Sequence, residues 1–216
     1  MRIIAGKYKG KILNSFEAEN IRPTSDMVKE AICSKIQFEI PDSVVLDLFG
    51  GTGNFGFEML SRGAKHVVIC DNNDKSIAII KKNNSMLKEN AEILQGDYNK
   101  CLKMLANKNY RFDIIFLDPP YKTSYGEQAL TLIKKFNLLN NNGTLIFEHE
   151  KDKTFDFCGF DLFDKKTYGI KQVSFFTIND DEQCTNKNNQ PASDGGQWLR
   201  LLIWRISYIL MLQLLN

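Results

Sequence analysis

"VVLDLFGGTGNFGFEML", residues 44–60, decides how the chain is read. Val44 to Phe49 is an apolar run broken once, by Asp47; Gly51, Gly53 and Gly56 then satisfy a GxGxxG spacing, and a helical pattern begins at Asn54. Glycines between a strand and a helix let a bound cofactor approach backbone amides and a helix N-terminus. Asp71 closes the next apolar run, "HVVICD", twenty residues beyond Gly51. A carboxylate there can accept from both ribose hydroxyls of an adenosine-type cofactor. Tight turns after strands also use glycine, and NAD satisfies the same spacing. Asp47 would set a negative charge beside a pyrophosphate, which suits NAD poorly; it suits the cationic sulfonium and ammonium of S-adenosylmethionine. A capped strand end is the plainer reading of Asp47.

Working outward, "AEILQGD", "FDIIFLD" and "GTLIFEHE" repeat the short apolar run, and amphipathic segments near 54–62, 74–88, 98–107 and 125–136 separate these runs. Strand–helix alternation of this kind predicts an α/β domain with a parallel sheet, helices on both faces and ligands beyond the carboxyl ends of the strands. After residue 158, "FDLFDKK" and "KQVSFFTI" flank a turn at Gly169, which predicts a final antiparallel pair. Before residue 42, "IIAGKYKGKIL" reads as a β-hairpin and "TSDMVKEAICSKI" as a helix with Val28, Ala31, Ile32 and Ile36 on one face.

The chain has 216 residues, 43% hydrophobic and 25% charged, with a formal net charge of +2, so one well-cored domain is affordable and no partner is named by charge. Five scattered cysteines without a CxxC pair argue against a disulfide framework and a zinc site, and favour a reduced, cytoplasmic setting. His66 and His149, the two histidines, lack neighbours at ligand spacing, so no metal is expected and a Ser-His-Asp hydrolase is disfavoured. The N-terminus has no signal-peptide pattern.

Two further strand ends carry acids. Asp97 in "LQGDYNK" is placed either to accept from an adenine amine or to cap the next helix. "FDIIFLDPPY", residues 112–121, ends on an acid, two prolines and an aromatic. Pro119 and Pro120 lack N–H groups and fix φ, so the loop is stiff and Asp118 is held still. An amine conjugated to a heterocycle is a poor nucleophile, because its lone pair is delocalised. Acceptors on its two N–H bonds, here Asp118 and the Pro119 carbonyl, favour the geometry needed for attack. Tyr121 offers a flat face for an extruded base. The plain alternative is a tight turn with a buried tyrosine.

"DLFGGTGNFGFEMLSRGA", "DPPY" and the opening "MRIIAGKYKGKIL…IRPTSDMVKEAI" together resemble the RsmD family, bacterial guanine-N2 methyltransferases of small-subunit ribosomal RNA, over about residues 1 to 178. DPPY alone is shared with adenine-N6 and other amino methyltransferases; the N-terminal segments carry the finer resemblance. It implies a Rossmann-like S-adenosylmethionine-dependent methyltransferase fold with a seven-stranded, mostly parallel sheet whose last strand is antiparallel. It also implies Asp118, Pro119, Pro120 and Tyr121 as the catalytic loop. Asp47, Gly51, Gly53, Gly56, Asp71 and Asp97 are then the expected cofactor residues. Ribosomal RNA or an assembling 30S particle is the expected partner of a monomeric enzyme.

Arg2, Lys7, Tyr8, Lys9 and Lys11 form a basic segment free of acids, suited to a phosphate backbone or to a solvated edge. Arg22 in "IRPTSD" is a further RNA candidate, or a helix cap. The expected organisation is an N-terminal extension for RNA contact over 1–41, a catalytic domain over 42–179, a disordered linker over 180–197 and an apolar segment over 198–216. The last, "WLRLLIWRISYILMLQLLN", is 14 of 19 apolar. It reads as an extension without a selected function, a docking helix or, less favoured because Arg200 and Arg205 interrupt it, a membrane anchor. Outside this class, a dinucleotide-dependent oxidoreductase and a non-catalytic RNA-binding assembly factor fit the sequence less fully.

Overall fold

Neighbouring residues of each inner strand belong to different cores: Val45, Val67 and Ile114 pack on one face of the sheet, Leu46, Val68 and Ile115 on the other. This alternation, apolar on both sides, is what a sheet covered by helices on both faces demands. The computed structural model describes residues 1–16, 24–121, 123–151, 157 and 159–178. Helices α1 (Thr24–Lys35), α2 (Asn54–Ser61) and α3 (Asp74–Leu87) cover the first face; α4 (Tyr98–Asn107) and α5 (Tyr125–Lys135) cover the second. Between them run β1 (Val44–Asp47), β2 (His66–Asp71), β3 (Glu92–Gln95), β4 (Phe112–Leu117), β5 (Leu139–Glu150), β6 (Phe160–Tyr168) and β7 (Lys171–Ile178).

The seven strands are ordered β3-β2-β1-β4-β5-β7-β6. The first five are parallel, and β7 runs antiparallel between β5 and β6. Chain order reverses at β1, so β1 and β4 flank the crevice where an open α/β sheet binds ligands. Both strands end there, at Asp47 and just before Asp118. The expected fold class and the final antiparallel pair are both present; β5 starts four residues earlier than expected, with an irregular register opposite Phe112 and Ile114.

The N-terminal hairpin is narrower than the sequence suggests. One antiparallel bridge joins Arg2 to Ile12, and the rest is turn. The chain bonds to α2 instead: Glu58 accepts from the Ile4 and Ala5 amides at 2.8 and 3.0 Å, and Lys7 N–H donates to the Ser61 carbonyl at 2.8 Å. Ile3 and Leu13 are buried in the same core as α1 and α2, and the described residues of 1–41 and of 42–179 belong to one compact unit. Arg22, the expected linker and the apolar segment 198–216 lie outside the described residues. Among the described residues no helix is long and apolar enough to cross a membrane.

Gly6 makes this docking feasible. Its φ is +79°, and a Cβ there would sit 1.8 Å from the Ser61 carbonyl oxygen; at Gly10, φ +85°, a Cβ would meet nothing within 4 Å. Gly10→Ala should therefore cost only the left-handed penalty, about 1 kcal/mol, whereas Gly6→Ala should cost roughly 2–4 kcal/mol by displacing the segment from α2. Urea denaturation of the two variants checks this, and equal losses would refute the docking argument.

Candidate active site

Two carboxylates grip the glycine turn from adjacent strand ends. Asp47 Oδ2 accepts the Gly56 N–H at 3.0 Å; Asp71 Oδ2 accepts the Gly51 N–H at 2.8 Å, while its Oδ1 accepts from Asn73 at 2.8 Å. Gly53 N–H closes onto the Gly50 carbonyl at 2.7 Å. The amides of all three motif glycines are thus bonded inside the protein. Their value lies in shape: Gly53 caps α2 at φ 80°, and a Cβ on Gly56 would meet Ile69 at 2.8 Å.

Asp47 is 1% exposed, and burial pushes its carboxyl up to about 7 against the lowering effect of the Gly56 N–H; the charge of Asp71 adds to the rise. Asp71 is half-buried, and each of its oxygens keeps a second lone pair for a ligand hydroxyl. Beside it lies a cleft of about 270 Å³ walled by Phe49, Asp71, Asp97, Tyr98, Asn99 and Tyr125. Asp97 caps α4, accepting the Lys100 N–H at 3.0 Å, so the capping reading is realised in the cleft wall. Asn99 Oδ1 is buried here and has no hydrogen-bond partner among the described residues. Phe49 and Tyr98 pack at 5.8 Å between ring centroids, Tyr98 and Tyr125 at 5.2 Å. Neither tyrosine nor Asn99 was legible as a site residue, because the starts of α4 and α5 meet only in the fold.

A second cavity, also about 270 Å³, joins Asp47, Gly51 and Asn54 on one side to Asp118, Glu148 and Lys171 on the other. Asp118 follows β4 directly and has no hydrogen-bond partner among the described residues. Burial and then the neighbouring Glu148 carboxylate raise its pKa to about 7, with Lys171 opposing. Pro119 is buried, and Gly126 at the start of α5 lets it sit close, since a Cβ there would lie 3.1 Å from the proline ring.

Tyr121 is less free than its sequence context suggests. Its hydroxyl donates to Glu148 Oε1 at 2.8 Å, and Lys171 bonds the same oxygen while its ammonium lies 5.4 Å over the tyrosine ring. One ring face is therefore occupied by a cation. Burial, then Glu148, raises the phenol pKa, so the hydroxyl stays a donor. Glu148 and Lys171 were not foreseen: Leu117 pairs with Phe147 and Glu150 with Lys171, so only the β4-β5-β7 register brings them beside Asp118.

The basic segment reaches the site through Met1, which lines the second cavity. Arg2, Lys7, Lys9 and Lys11 are all exposed, though not all are unengaged. Lys7 pairs with Glu89 at 2.5 Å, and Tyr8 donates to the same carboxylate at 2.6 Å with Lys7 and Lys11 ammoniums 5.0 and 5.8 Å from its ring. These contacts tie Lys7 and Tyr8 to Glu89. His149 bonds Ser174 at 2.8 Å and His66 lies near Glu92, while among the described residues no group of three His, Cys, Asp or Glu side chains could hold a metal.

With this geometry established, comparison with known proteins is specific. Residues 1–177 match the family model described as "Conserved hypothetical protein 95". The chain is 41% identical over 157 residues to ribosomal RNA small subunit methyltransferase D of Haemophilus influenzae, covering 71% of this chain and 80% of that protein. The chain belongs to the ribosomal RNA small subunit methyltransferase D family. A Bacillus subtilis candidate rRNA methyltransferase, YlbH, is 35% identical over 82% of this chain and 98% of its own length. A solved Haemophilus influenzae structure described as a candidate methylase superposes with a TM-score of 0.69 at 33% identity, covering 82% of this chain and 97% of that one. Methyltransferase D family membership and the sheet order agree: the fold is that of the Rossmann-like methyltransferases.

Asp47 supplies a test of the cofactor side. An acid whose pKa is higher folded than unfolded binds its proton more tightly when folded. The stability so gained is present near pH 4 and is lost as pH rises to about 7, leaving an ionisation cost above that. Asp47→Asn keeps an acceptor for Gly56 and removes the cost. The ligand-free variant should be more stable than the parent at pH 8, by about 1–4 kcal/mol, with the gap closing toward pH 4. Its S-adenosylmethionine affinity should fall at least about tenfold. A variant less stable than the parent at pH 8 would contradict the burial argument.

Proposed function

We propose that this enzyme transfers a methyl group from S-adenosylmethionine to the N2 amine of a guanine in small-subunit ribosomal RNA, acting as a cytoplasmic monomer on RNA or on an assembling small subunit. One observation carries the reading: Asp47, beside the glycine turn, and Asp118, at the DPPY loop, line a single cavity. The cofactor, when bound, supplies an electrophilic methyl on a cationic sulfur. The buried carboxyl of Asp47 fits the cationic end, Asp71 fits ribose hydroxyls, and the unpartnered Asn99 Oδ1 fits an adenine amine better than Asp97, whose oxygen already caps α4.

Asp118 and the Pro119 carbonyl then accept from the two N–H bonds of the target amine, which localises its lone pair and aims it across the cavity. The amine nitrogen would gain the methyl carbon as the sulfonium S–C bond breaks and a neutral thioether leaves, and Asp118, near 7, would accept the proton the nitrogen loses. Tyr121 packs against the extruded base on the ring face not covered by Lys171. Family membership favours this reading over the oxidoreductase and the non-catalytic factor.

Asp118 must be ionised to accept, so with S-adenosylmethionine saturating at every pH, kcat/KM for methyl transfer to undermethylated small subunits should rise as pH increases through about 7 and then level. Asp118→Asn should lower kcat by on the order of a hundredfold, remove that rise and leave cofactor affinity intact, whereas Asp71→Ala should chiefly weaken cofactor binding. Loss of cofactor affinity alone in both variants would overturn the division of labour.

On the RNA side, Lys9 and Lys11 are exposed and, unlike Lys7, make no ion pair with an acid among the described residues. Replacing Lys9 and Lys11 by Gln should weaken RNA binding and flatten its log–log salt dependence by roughly 1.5, with a smaller effect from Lys7→Gln. A slope that does not change would return the segment to a solvated edge.

A further inference from the structure

The group facing Asp118 has a chemistry that amine orientation alone does not require. Glu148 and Lys171 project from adjacent antiparallel strands into the cavity that holds Asp118. Glu148 Oε1 takes both the Tyr121 hydroxyl and the Lys171 ammonium. Its Oε2 accepts no hydrogen bond among the described residues, and it is not a sealed buried atom. Lys171 has three N–H bonds and uses one on Glu148, so donors remain; its side chain is 22% exposed. From β4, β5 and β7 in turn, the wall therefore presents an acceptor, an acceptor and a donor.

We infer that Glu148 and Lys171 select the base: beside Asp118, the free Glu148 oxygen accepts from guanine N1–H and Lys171 donates to guanine O6. This rests on the proposed guanine-N2 reaction and adds the residues that make it guanine-specific. Along that edge guanine offers an amine, an N–H and a carbonyl oxygen, matching acceptor, acceptor and donor. Adenine offers a bare N1 lone pair beside its amine. Placed with that amine at Asp118, it would set the lone pair against the Glu148 carboxylate, leaving both acceptors without a proton. A site that hydrogen-bonds a substrate group rejects the analogue lacking it far more strongly than a shape-matched apolar wall does. Glu148 Oε1 orients Tyr121 while Oε2 stays available.

The test uses the full chain and small-subunit RNA assembled by ligation to carry guanine, 2-aminopurine or 2,6-diaminopurine at the nucleotide the wild-type enzyme methylates. Both analogues keep the exocyclic 2-amine but have a bare N1 and no O6. The wild-type enzyme should prefer guanine by at least about a hundredfold in kcat/KM. Glu148→Gln retains an acceptor for Tyr121 and gains an amide donor for a bare N1, so it should narrow that preference at least about tenfold with unchanged cofactor affinity. Lys171→Met should slow transfer to guanine about tenfold or more beyond whatever loss it causes with 2-aminopurine, and Lys171→Arg should restore the difference. Should Glu148→Gln fail to fold, the Lys171 variants decide alone. Guanine preference unchanged in every folded variant would overturn the inference and leave the guanine-N2 reaction standing; no transfer by the wild-type enzyme to guanine would overturn both.

Discussion

The site depends on two carboxylates holding one glycine turn. Asp47 and Asp71 end neighbouring parallel strands, and each accepts an amide from the turn, at Gly56 and Gly51. The turn is thereby fixed in depth against the sheet, and α2 starts where Gly53 lets it. Each acid serves twice, because a carboxylate oxygen has two lone pairs: one secures the backbone and the other is left for a ligand. The cost falls on Asp47, which is buried with a second carboxylate nearby. A cationic ligand beside it would offset that cost, because an opposite charge favours the ionised carboxylate.

The other half of the site is assembled by register. β4, β5 and β7 lie side by side, and their pairing places Asp118, Glu148 and Lys171 within one cavity although the residues are far apart in the chain. Lys171 keeps the two acids from repelling without relief, and it and Tyr121 converge on the same Glu148 oxygen. A one-residue slip would turn Lys171 to the opposite face of the sheet. Positioning by strands, rather than by a mobile loop, gives such a group its precision.

The N-terminal segment is tied to the same frame by Glu58. This fully buried carboxylate on α2 accepts from the Ile4 and Ala5 amides, with Arg62 at 2.8 Å and Lys29 at 3.2 Å balancing its charge. Removing either cation would leave a buried charge under-compensated, so the segment and the helix that follows the glycine turn are energetically one piece. The basic face carried by Arg2, Lys9 and Lys11 is consequently held in fixed relation to the cavity.

By itself the sequence determined the strand–helix alternation, the glycine turn with its two flanking acids, and the DPPY strand end, because these are local: a period, a spacing and a pair of prolines are visible without knowing what packs on them. The limits of α2, α3, α4 and α5 differ from the periodicity by a single residue at most for the same reason. Tertiary structure alone decided the partners. That Lys7 is neutralised by Glu89, that the motif glycine amides face inward, and that Tyr98 meets Tyr125 all depend on contacts across elements distant in sequence. Glu148 and Lys171 show the limit most plainly. Each is a charged residue near the end of a strand that is otherwise buried on both faces, and only the β5-β7 register, set by the burial of the intervening apolar residues, turns both toward Asp118.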